Sequence, residues 1–106
     1  MSIAAPDAAG GTDGVHVLVS GRVQGVGFRY FVKHTADAQA VAGWVRNLGD
    51  GRVEAVLFGA AQNVQQVLDE IGRGPRNARV DEVVTRIARD DERTGASRPL
   101  KVRTSA

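Results

Sequence analysis

Apolar positions first recur with a period of two, because β-branched residues occupy every second position from residue 15 to residue 19. This period predicts a β-strand with Val15, Val17 and Val19 facing a core. From Phe28 to about Gln39, apolar and small residues recur at steps of three and four, which predicts an amphipathic helix. The folded part of the chain therefore begins with a strand and a helix.

A hairpin and a second helix are predicted in the middle of the chain. Extended segments are expected at 41–48 and 52–58, and the Asp50-Gly51 pair between them is typical of a hairpin turn. Four apolar residues then follow the i, i+3, i+4, i+7 spacing of one helix face, and Gly72 followed by Gly74-Pro75 is expected to end that helix. These four residues are Val64, Val67, Leu68 and Ile71.

Extended character returns over residues 78–89. Val80 and Val83 fall on opposite faces of this segment, which indicates either a β-bulge within it or strand boundaries other than these. Residues 90–99 are predicted to form a polar loop. Residues 100–103 are just long enough to add an edge strand, whose pairing the sequence leaves open.

The order of these elements is strand, helix, strand, strand, helix, strand. This βαββαβ order predicts an α+β fold, a ferredoxin-like sandwich in which two helices cover one face of an antiparallel sheet. In that topology the first and third strands are central. The second strand runs parallel to the first, so both end at the same end of the sheet.

Length and composition indicate a single domain, because 106 residues leave no room for a second core. Residues 1–14 are predicted to be a disordered N-terminal tail, and residues 15–106 the folded domain. Hydrophobic residues make up 42% of the chain but aromatic ones only 5%, which predicts a core of valine and alanine. The chain has no cysteine, which excludes disulfides, thiolate chemistry and a zinc site built on cysteine.

Charge and the N-terminal sequence bear on partners and location. The formal net charge of +2 is weak evidence for a nucleic-acid partner. The first 14 residues lack both a basic start and a long apolar stretch, so neither a signal peptide nor a membrane span is predicted. We expect a cytoplasmic protein with no membrane association and no nucleic-acid partner.

Three glycines lie in the glycine loop (residues 21–27), between the first strand and the first helix. Glycine permits positive φ and close backbone approach, so successive N–H groups can converge on one anion beside a helix N-terminus. Arg29, in the first turn of that helix, adds a planar fork of donors suited to phosphate or carboxylate. An anion site and a plain glycine-rich turn with a solvated arginine both remain open on these residues alone.

Two better-known glycine motifs do not fit this loop. A nucleoside-triphosphate loop needs Lys-Ser or Lys-Thr after its last glycine, where Phe28 and Arg29 stand. A dinucleotide-binding fingerprint needs a glycine where Tyr30 stands. The loop therefore belongs to neither class.

Asn47 falls at the end of the predicted second strand, where it can face the glycine loop. An uncharged amide there, with no carboxylate, cysteine or hydroxyl paired to it, indicates water positioning rather than covalent catalysis. Taken alone, such an asparagine is more often a hydrogen-bonding residue that flanks a turn.

Structural interpretations are favoured for the other polar residues. His16 and His34 are expected to be packing or surface residues. Asp90-Asp91-Glu92 is expected to be a solvated acidic turn, with a cation site as the alternative. A basic strip consists of Arg73, Arg76 and Arg79. We expect these side chains to be solvent-exposed charges, with a surface for a partner as the alternative.

Four segments follow one another in a specific order and spacing. They are Gly21-Arg22-Val23-Gln24-Gly25-Val26-Gly27-Phe28-Arg29, Gly43-Trp44-Val45-Arg46-Asn47-Leu48, Asp50-Gly51-Arg52-Val53-Glu54-Ala55 and Gly74-Pro75. Together they resemble the acylphosphatase family over about residues 15–90. The segment 94–106 matches the family's final strand poorly.

The resemblance implies an enzyme that hydrolyses the carboxyl–phosphate bond of acyl phosphates to carboxylate and inorganic phosphate, without metal or cofactor. It implies that Arg29 binds the phosphate and Asn47 orients the attacking water. The remaining phosphate-binding residues are then Gly21, Arg22, Val23, Gln24, Gly25, Val26 and Gly27. We expect a monomer, and the sequence does not indicate which acyl phosphate is the physiological substrate.

A second class of function uses the same scaffold without catalysis. Such a domain would bind an acyl or carbamoyl phosphate for a larger enzyme. An RNA-recognition function fits less well, because those domains stack bases on aromatic residues of the central strands. The first strand has no aromatic residue, and the third has only Phe58.

Overall fold

Five strands and three helices make up residues 14–104, the part of the chain that the computed structural model describes. The strands are β1 (Val15–Arg22), β2 (Ala42–Asn47), β3 (Val53–Phe58), β4 (Arg79–Ile87) and β5 (Lys101–Val102). The helices are α1 (Phe28–Ala38), α2 (Ala61–Arg73) and α3 (Asp90–Arg93). The first six elements confirm the βαββαβ order.

β1 and β3 form the centre of the sheet, whose strand order is β4-β1-β3-β2-β5. β1 pairs antiparallel with both β3 and β4, and β2 pairs antiparallel with β3, so β2 runs in the same direction as β1. These pairings confirm the ferredoxin-like arrangement. β5 is the exception, because it pairs parallel with β2 and makes the sheet mixed.

A valine-rich core fills the space between the sheet and the helices α1 and α2. Val15, Val17 and Val19 are at most 1% exposed, as their alternation predicted. The predicted apolar stripe of α2 is also buried. Low aromatic content therefore leaves the core packed by β-branched side chains, which suit a pleated sheet surface.

The C-terminal end of α2 differs from the prediction. α2 does not end at Gly72 but continues to Arg73, and Gly74 follows with a φ of +70° while its N–H donates to the Glu70 carbonyl at 2.9 Å. A positive φ is readily adopted by glycine after a helix end, which explains why the second glycine ends the helix.

The predicted bulge in β4 is present. Its partner strand β1 pairs Ser20 with Glu82 and Gly21 with Val80, so Asp81 is the extra residue. The extra residue shifts the alternation of side chains between the two sheet faces by one position, so Val80 and Val83 both pack against the same core.

A second, smaller apolar cluster lies on the opposite face of the sheet. Trp44 and Val56 are buried there against Ala88, and the Trp44 Nε1–H donates to the Glu92 carbonyl at 2.8 Å. Residues 90–99, which cover this cluster, were predicted to form a polar loop but contain α3. The prediction of a solvated acidic turn is wrong for Glu92, which is only 8% exposed.

Gly14, the last residue of the predicted N-terminal tail, directly precedes β1. Gly14 is buried, and its carbonyl accepts the Ala88 N–H at 3.1 Å. The remainder of the predicted tail, residues 1–13, lies outside the described residues. Within residues 14–104, no helix is long and apolar enough to cross a membrane.

Candidate active site

The glycine loop leaves the end of β1 beside the end of β2. Gly25 and Gly27 have φ values of +76° and +77°, in the left-handed region that side chains disfavour. A Cβ added at either position would meet no atom within 4 Å. Backbone conformation, rather than lack of space, therefore requires glycine at both positions.

Helix α1 begins directly after the loop and directs its N-terminus at the same place. Gly27 precedes the first helical residue, and the Phe31 N–H donates to the Gly27 carbonyl at 3.0 Å. Helix geometry leaves the N–H groups of Phe28, Arg29 and Tyr30 without partners inside the helix. These groups and the helix dipole favour an anion at this end.

A cavity of about 160 Å³ opens between the loop, the start of α1 and the end of β2. Its lining residues are Val23, Gly25, Gly27, Phe28, Arg29, Tyr30 and Asn47. Arg29 carries the charge among them, and the lining includes no carboxylate, histidine or thiol. Such a cavity is suited to an anion and offers no side chain that could act as a base near neutral pH.

Arg29 is held by Arg103, the residue that directly follows β5. Its Nη1 donates to the Arg103 carbonyl at 3.1 Å. The Arg103 N–H in turn donates to the Val45 carbonyl at 2.8 Å, and the Arg103 guanidinium lies 4.8 Å from the Trp44 ring centroid. This support was not predicted, because it depends on the pairing of β5.

The structure brings part of the predicted site together around the cavity. Val23, Gly25, Gly27, Arg29 and Asn47 all line it. Gly21, Arg22, Gln24 and Val26 do not line it. Gly21 and Arg22 belong to β1, which extends two residues beyond the predicted strand. The Gln24 carboxamide forms a hydrogen bond to the β2–β3 hairpin, and Val26 packs against the core.

A larger cavity of about 390 Å³ lies between α1 and α2. Its lining includes Asp69 and Glu70, and Arg73 bonds to Glu70. Two carboxylates repel an anion, and the one cation among the lining residues is already paired. The smaller cavity therefore remains the candidate active site.

The histidines and the acidic turn lie away from this cavity. His34 is exposed on α1, whereas His16 is only 2% exposed, and its Nε2 lies 2.8 Å from Glu54 Oε2 and 3.6 Å from Glu92 Oε2. Among the described residues, His16, Glu54 and Glu92 form the one group whose ligand atoms could surround a metal ion. Both carboxylates are already bonded to arginines, Glu54 to Arg46 at 2.7 Å and Glu92 to Arg86 at 2.6 Å, which disfavours a cation.

These arginines also set the charge of the cluster. Hydrogen bonds from Arg86 hold the pKa of Glu92 at about 2, against a usual 4.5, although burial acts in the opposite direction. Burial raises the pKa of Glu54, but hydrogen bonds from His16 and Arg46 outweigh it and leave that pKa below its usual value. The cluster is therefore a paired structural network on the sheet face opposite α1 and α2.

Fold and cavity together define a small α+β domain whose glycine loop, helix N-terminus and Arg29 converge on one cavity. Residues 15–97 match the family model described as Acylphosphatase. An acylphosphatase of Rhodopseudomonas palustris is 52% identical over 75 residues, which are 71% of this chain and 76% of that protein. The chain belongs to the acylphosphatase family.

Solved structures show the same relationship. The crystal structure of acylphosphatase from Bacillus subtilis is similar with a TM-score of 0.77 and 36% identity, covering 85% of this chain and 97% of that one. Full-length HypF in its phosphate- and nucleotide-bound form is similar with a TM-score of 0.74 and 26% identity. That match covers 87% of this chain but only 12% of HypF.

Proposed function

We propose that the protein hydrolyses the carboxyl–phosphate bond of acyl phosphates without a metal ion, and that Arg29, the loop amides and Asn47 carry the reaction. The observation that carries this proposal is the shared cavity. Arg29 comes from α1 and Asn47 from β2, yet both line a space of about 160 Å³ beside the glycine loop. One residue suited to the anion and one suited to water thus lie at a single site.

The phosphoryl group binds first, against the N–H groups of the glycine loop and of the first turn of α1. Arg29 adds parallel donors to two phosphoryl oxygens, and the Arg103 carbonyl keeps its guanidinium in place. Such preorganised donors stabilise charge as it redistributes over the phosphoryl oxygens in the transition state.

The attacking water is oriented by the Asn47 carboxamide. Within residues 14–104, no hydrogen bond of the protein holds this side chain, so its oxygen and nitrogen are available to water. The water oxygen forms a bond to phosphorus while the bond from phosphorus to the acyl oxygen breaks. The electron pair leaves with the carboxylate.

Neither a general acid nor a general base is required for this step. A carboxylate is a good leaving group, so it departs without protonation. Asparagine cannot take the proton of water near neutral pH. That proton passes to a phosphoryl oxygen of the substrate, and the products are carboxylate and inorganic phosphate.

The test is release of inorganic phosphate from benzoyl phosphate, with and without EDTA. We expect turnover well above the uncatalysed rate and unaffected by EDTA. Loss of turnover on chelation that is restored by added metal would overturn the metal-free mechanism. Folded protein that binds phosphate but does not turn over would support the second candidate.

That second candidate is a non-catalytic domain that binds acyl or carbamoyl phosphate. The similarity to 12% of HypF favours it, because a domain of this fold there forms part of a much longer chain. Similarity to the Bacillus subtilis acylphosphatase over 97% of its length favours the hydrolase. The phosphate-release assay separates the two.

The expected monomeric state, cytoplasmic location and lack of a nucleic-acid partner remain predictions. Sedimentation equilibrium at several protein concentrations tests the first, and a single species of 11.2 kDa is expected. A concentration-dependent mass would contradict it.

A further inference from the structure

The Gln24 side chain crosses from the glycine loop to the hairpin between β2 and β3. Its Nε2 donates to the Leu48 carbonyl at 2.7 Å and to the Arg52 carbonyl at 2.9 Å. These carbonyls lie at the two ends of the hairpin turn, since the Leu48 N–H donates to the Arg52 carbonyl at 2.8 Å. One amide nitrogen therefore bonds to both sides of the turn.

This bridge occupies a place that the sheet itself leaves unconnected. β1, which leads into the glycine loop, and β2, which ends in Asn47, are separated by β3. Neighbouring strands are about 4.8 Å apart, so the ends of β1 and β2 are too far apart for a ladder hydrogen bond. A side chain has to connect them, and Gln24 does so.

Asn47 is the residue that gains from this connection. It directly precedes Leu48, whose carbonyl accepts one of the two Gln24 bonds. Because no protein hydrogen bond within residues 14–104 holds the Asn47 carboxamide, its position depends on the backbone of the hairpin. Val23 and Gly25, on either side of Gln24, line the same cavity as Asn47.

We infer that Gln24 is a positioning residue that fixes the hairpin, and with it Asn47, relative to the bound phosphoryl group. This inference rests on the proposed function. Phosphate binding depends on Gln24 much less, because α1 and the Arg103 carbonyl hold Arg29. Removing the Gln24 donors should therefore lower kcat and leave phosphate affinity nearly intact.

A double-mutant cycle between Gln24→Met and Asn47→Ala tests this. Methionine keeps the length of the side chain and removes both donors. In the wild-type background we expect kcat for benzoyl phosphate to fall by about 10- to 100-fold, as a misplaced catalytic group typically costs. In the Asn47→Ala background we expect less than about a 3-fold fall, since residues that act as a unit are not additive.

Three controls accompany the cycle. The inhibition constant of inorganic phosphate should change by less than about 3-fold in Gln24→Met, a difference of the size expected for uncoupled sites. Gln62→Ala, which removes an exposed carboxamide on α2, should leave all constants unchanged. Circular dichroism must show that each variant is folded. If Gln24→Met unfolds, Gln24→Asn replaces it in the same cycle, because the shorter side chain cannot reach both carbonyls.

The outcomes separate the inference from the function on which it rests. Equal losses of kcat in both backgrounds, with a slow Asn47→Ala enzyme, would overturn only the positioning role of Gln24. A loss of phosphate affinity as large as the loss of kcat would also overturn it, because Gln24 would then support the whole loop. An Asn47→Ala enzyme with normal turnover would overturn the role of Asn47 itself.

Discussion

Replacing Glu92 by glutamine tests how the segment that leads to β5 is held on the sheet. Glu92 is only 8% exposed and accepts hydrogen bonds from Arg86 at 2.8 and 2.6 Å and from the Arg89 N–H at 2.8 Å. The groups that face it from other strands are His16 on β1 and Glu54, next to His16, on β3. Glutamine keeps the shape but removes the charge.

The expected magnitude follows from the pKa of Glu92, which Arg86 lowers from a usual 4.5 to about 2. Each tenfold change in an acid dissociation constant corresponds to about 1.4 kcal/mol, so the ionised group contributes about 3 kcal/mol to the free energy of unfolding. Because the folded-state pKa is the lower one, this contribution is complete above pH 4.5 and is lost as the pH falls towards 2.

Urea unfolding at pH 6 and pH 2 measures this difference. Glu92→Gln should be less stable than the wild type by about 3 kcal/mol at pH 6 and by less than about 1 kcal/mol at pH 2. The matched control is Asp91→Asn, whose carboxylate is 77% exposed in the same helix and whose replacement should lower stability at pH 6 by less than about 1 kcal/mol. A difference between wild type and Glu92→Gln that is equal at both pH values would refute the reasoning.

Two further substitutions test the site and its support. Arg29→Lys keeps the charge but loses the planar fork, so we expect an activation barrier higher by about 3 kcal/mol and weaker inhibition by phosphate. Arg22→Lys, at an exposed position of the glycine loop, should have smaller effects. Near-normal turnover and inhibition in Arg29→Lys would contradict the assignment. Gly21→Ala places a Cβ 2.1 Å from the Arg79 carbonyl oxygen at a φ of +128°, so urea unfolding should show a loss of about 2 kcal/mol or more. Gly49→Ala, which meets no atom within 4 Å, should be near neutral, and equal losses for the two glycines would contradict the steric argument.

Much of the fold could be predicted because its signals are local. The alternation in β1, the spacing in α2 and the Asp50-Gly51 turn each lie within one short segment, and their order then restricts the topology. α3 and the pairing of the predicted edge strand β5 are different, since four and two residues show no periodicity. The parallel pairing of β5 with β2 depends on the whole sheet being in place.

The candidate site divides in the same way. Arg29, Gly25 and Gly27 line the cavity where the sequence places them, because they are neighbours in sequence and glycine has a specific backbone role, while their part in phosphate binding stays a prediction. Gln24 and the Arg103 carbonyl were not predicted as supports, because their hydrogen bonds span 24, 28 and 74 residues. Glu92 was expected to be solvated because it lies in a run of acidic residues, and only the three-dimensional structure places Arg86 and Trp44 against it.

Asn47→Ala provides the most direct test that one residue aligns water while others hold the phosphoryl group. The measurement is kcat for benzoyl phosphate together with the inhibition constant of inorganic phosphate, and Asn77→Ala, an exposed asparagine in a turn, is the matched control. We predict a barrier higher by roughly 2 to 4 kcal/mol, an almost unchanged inhibition constant and unchanged thermal unfolding. Equal losses of turnover and of phosphate affinity would contradict the account, because Asn47 would then hold the phosphate or the fold rather than the water.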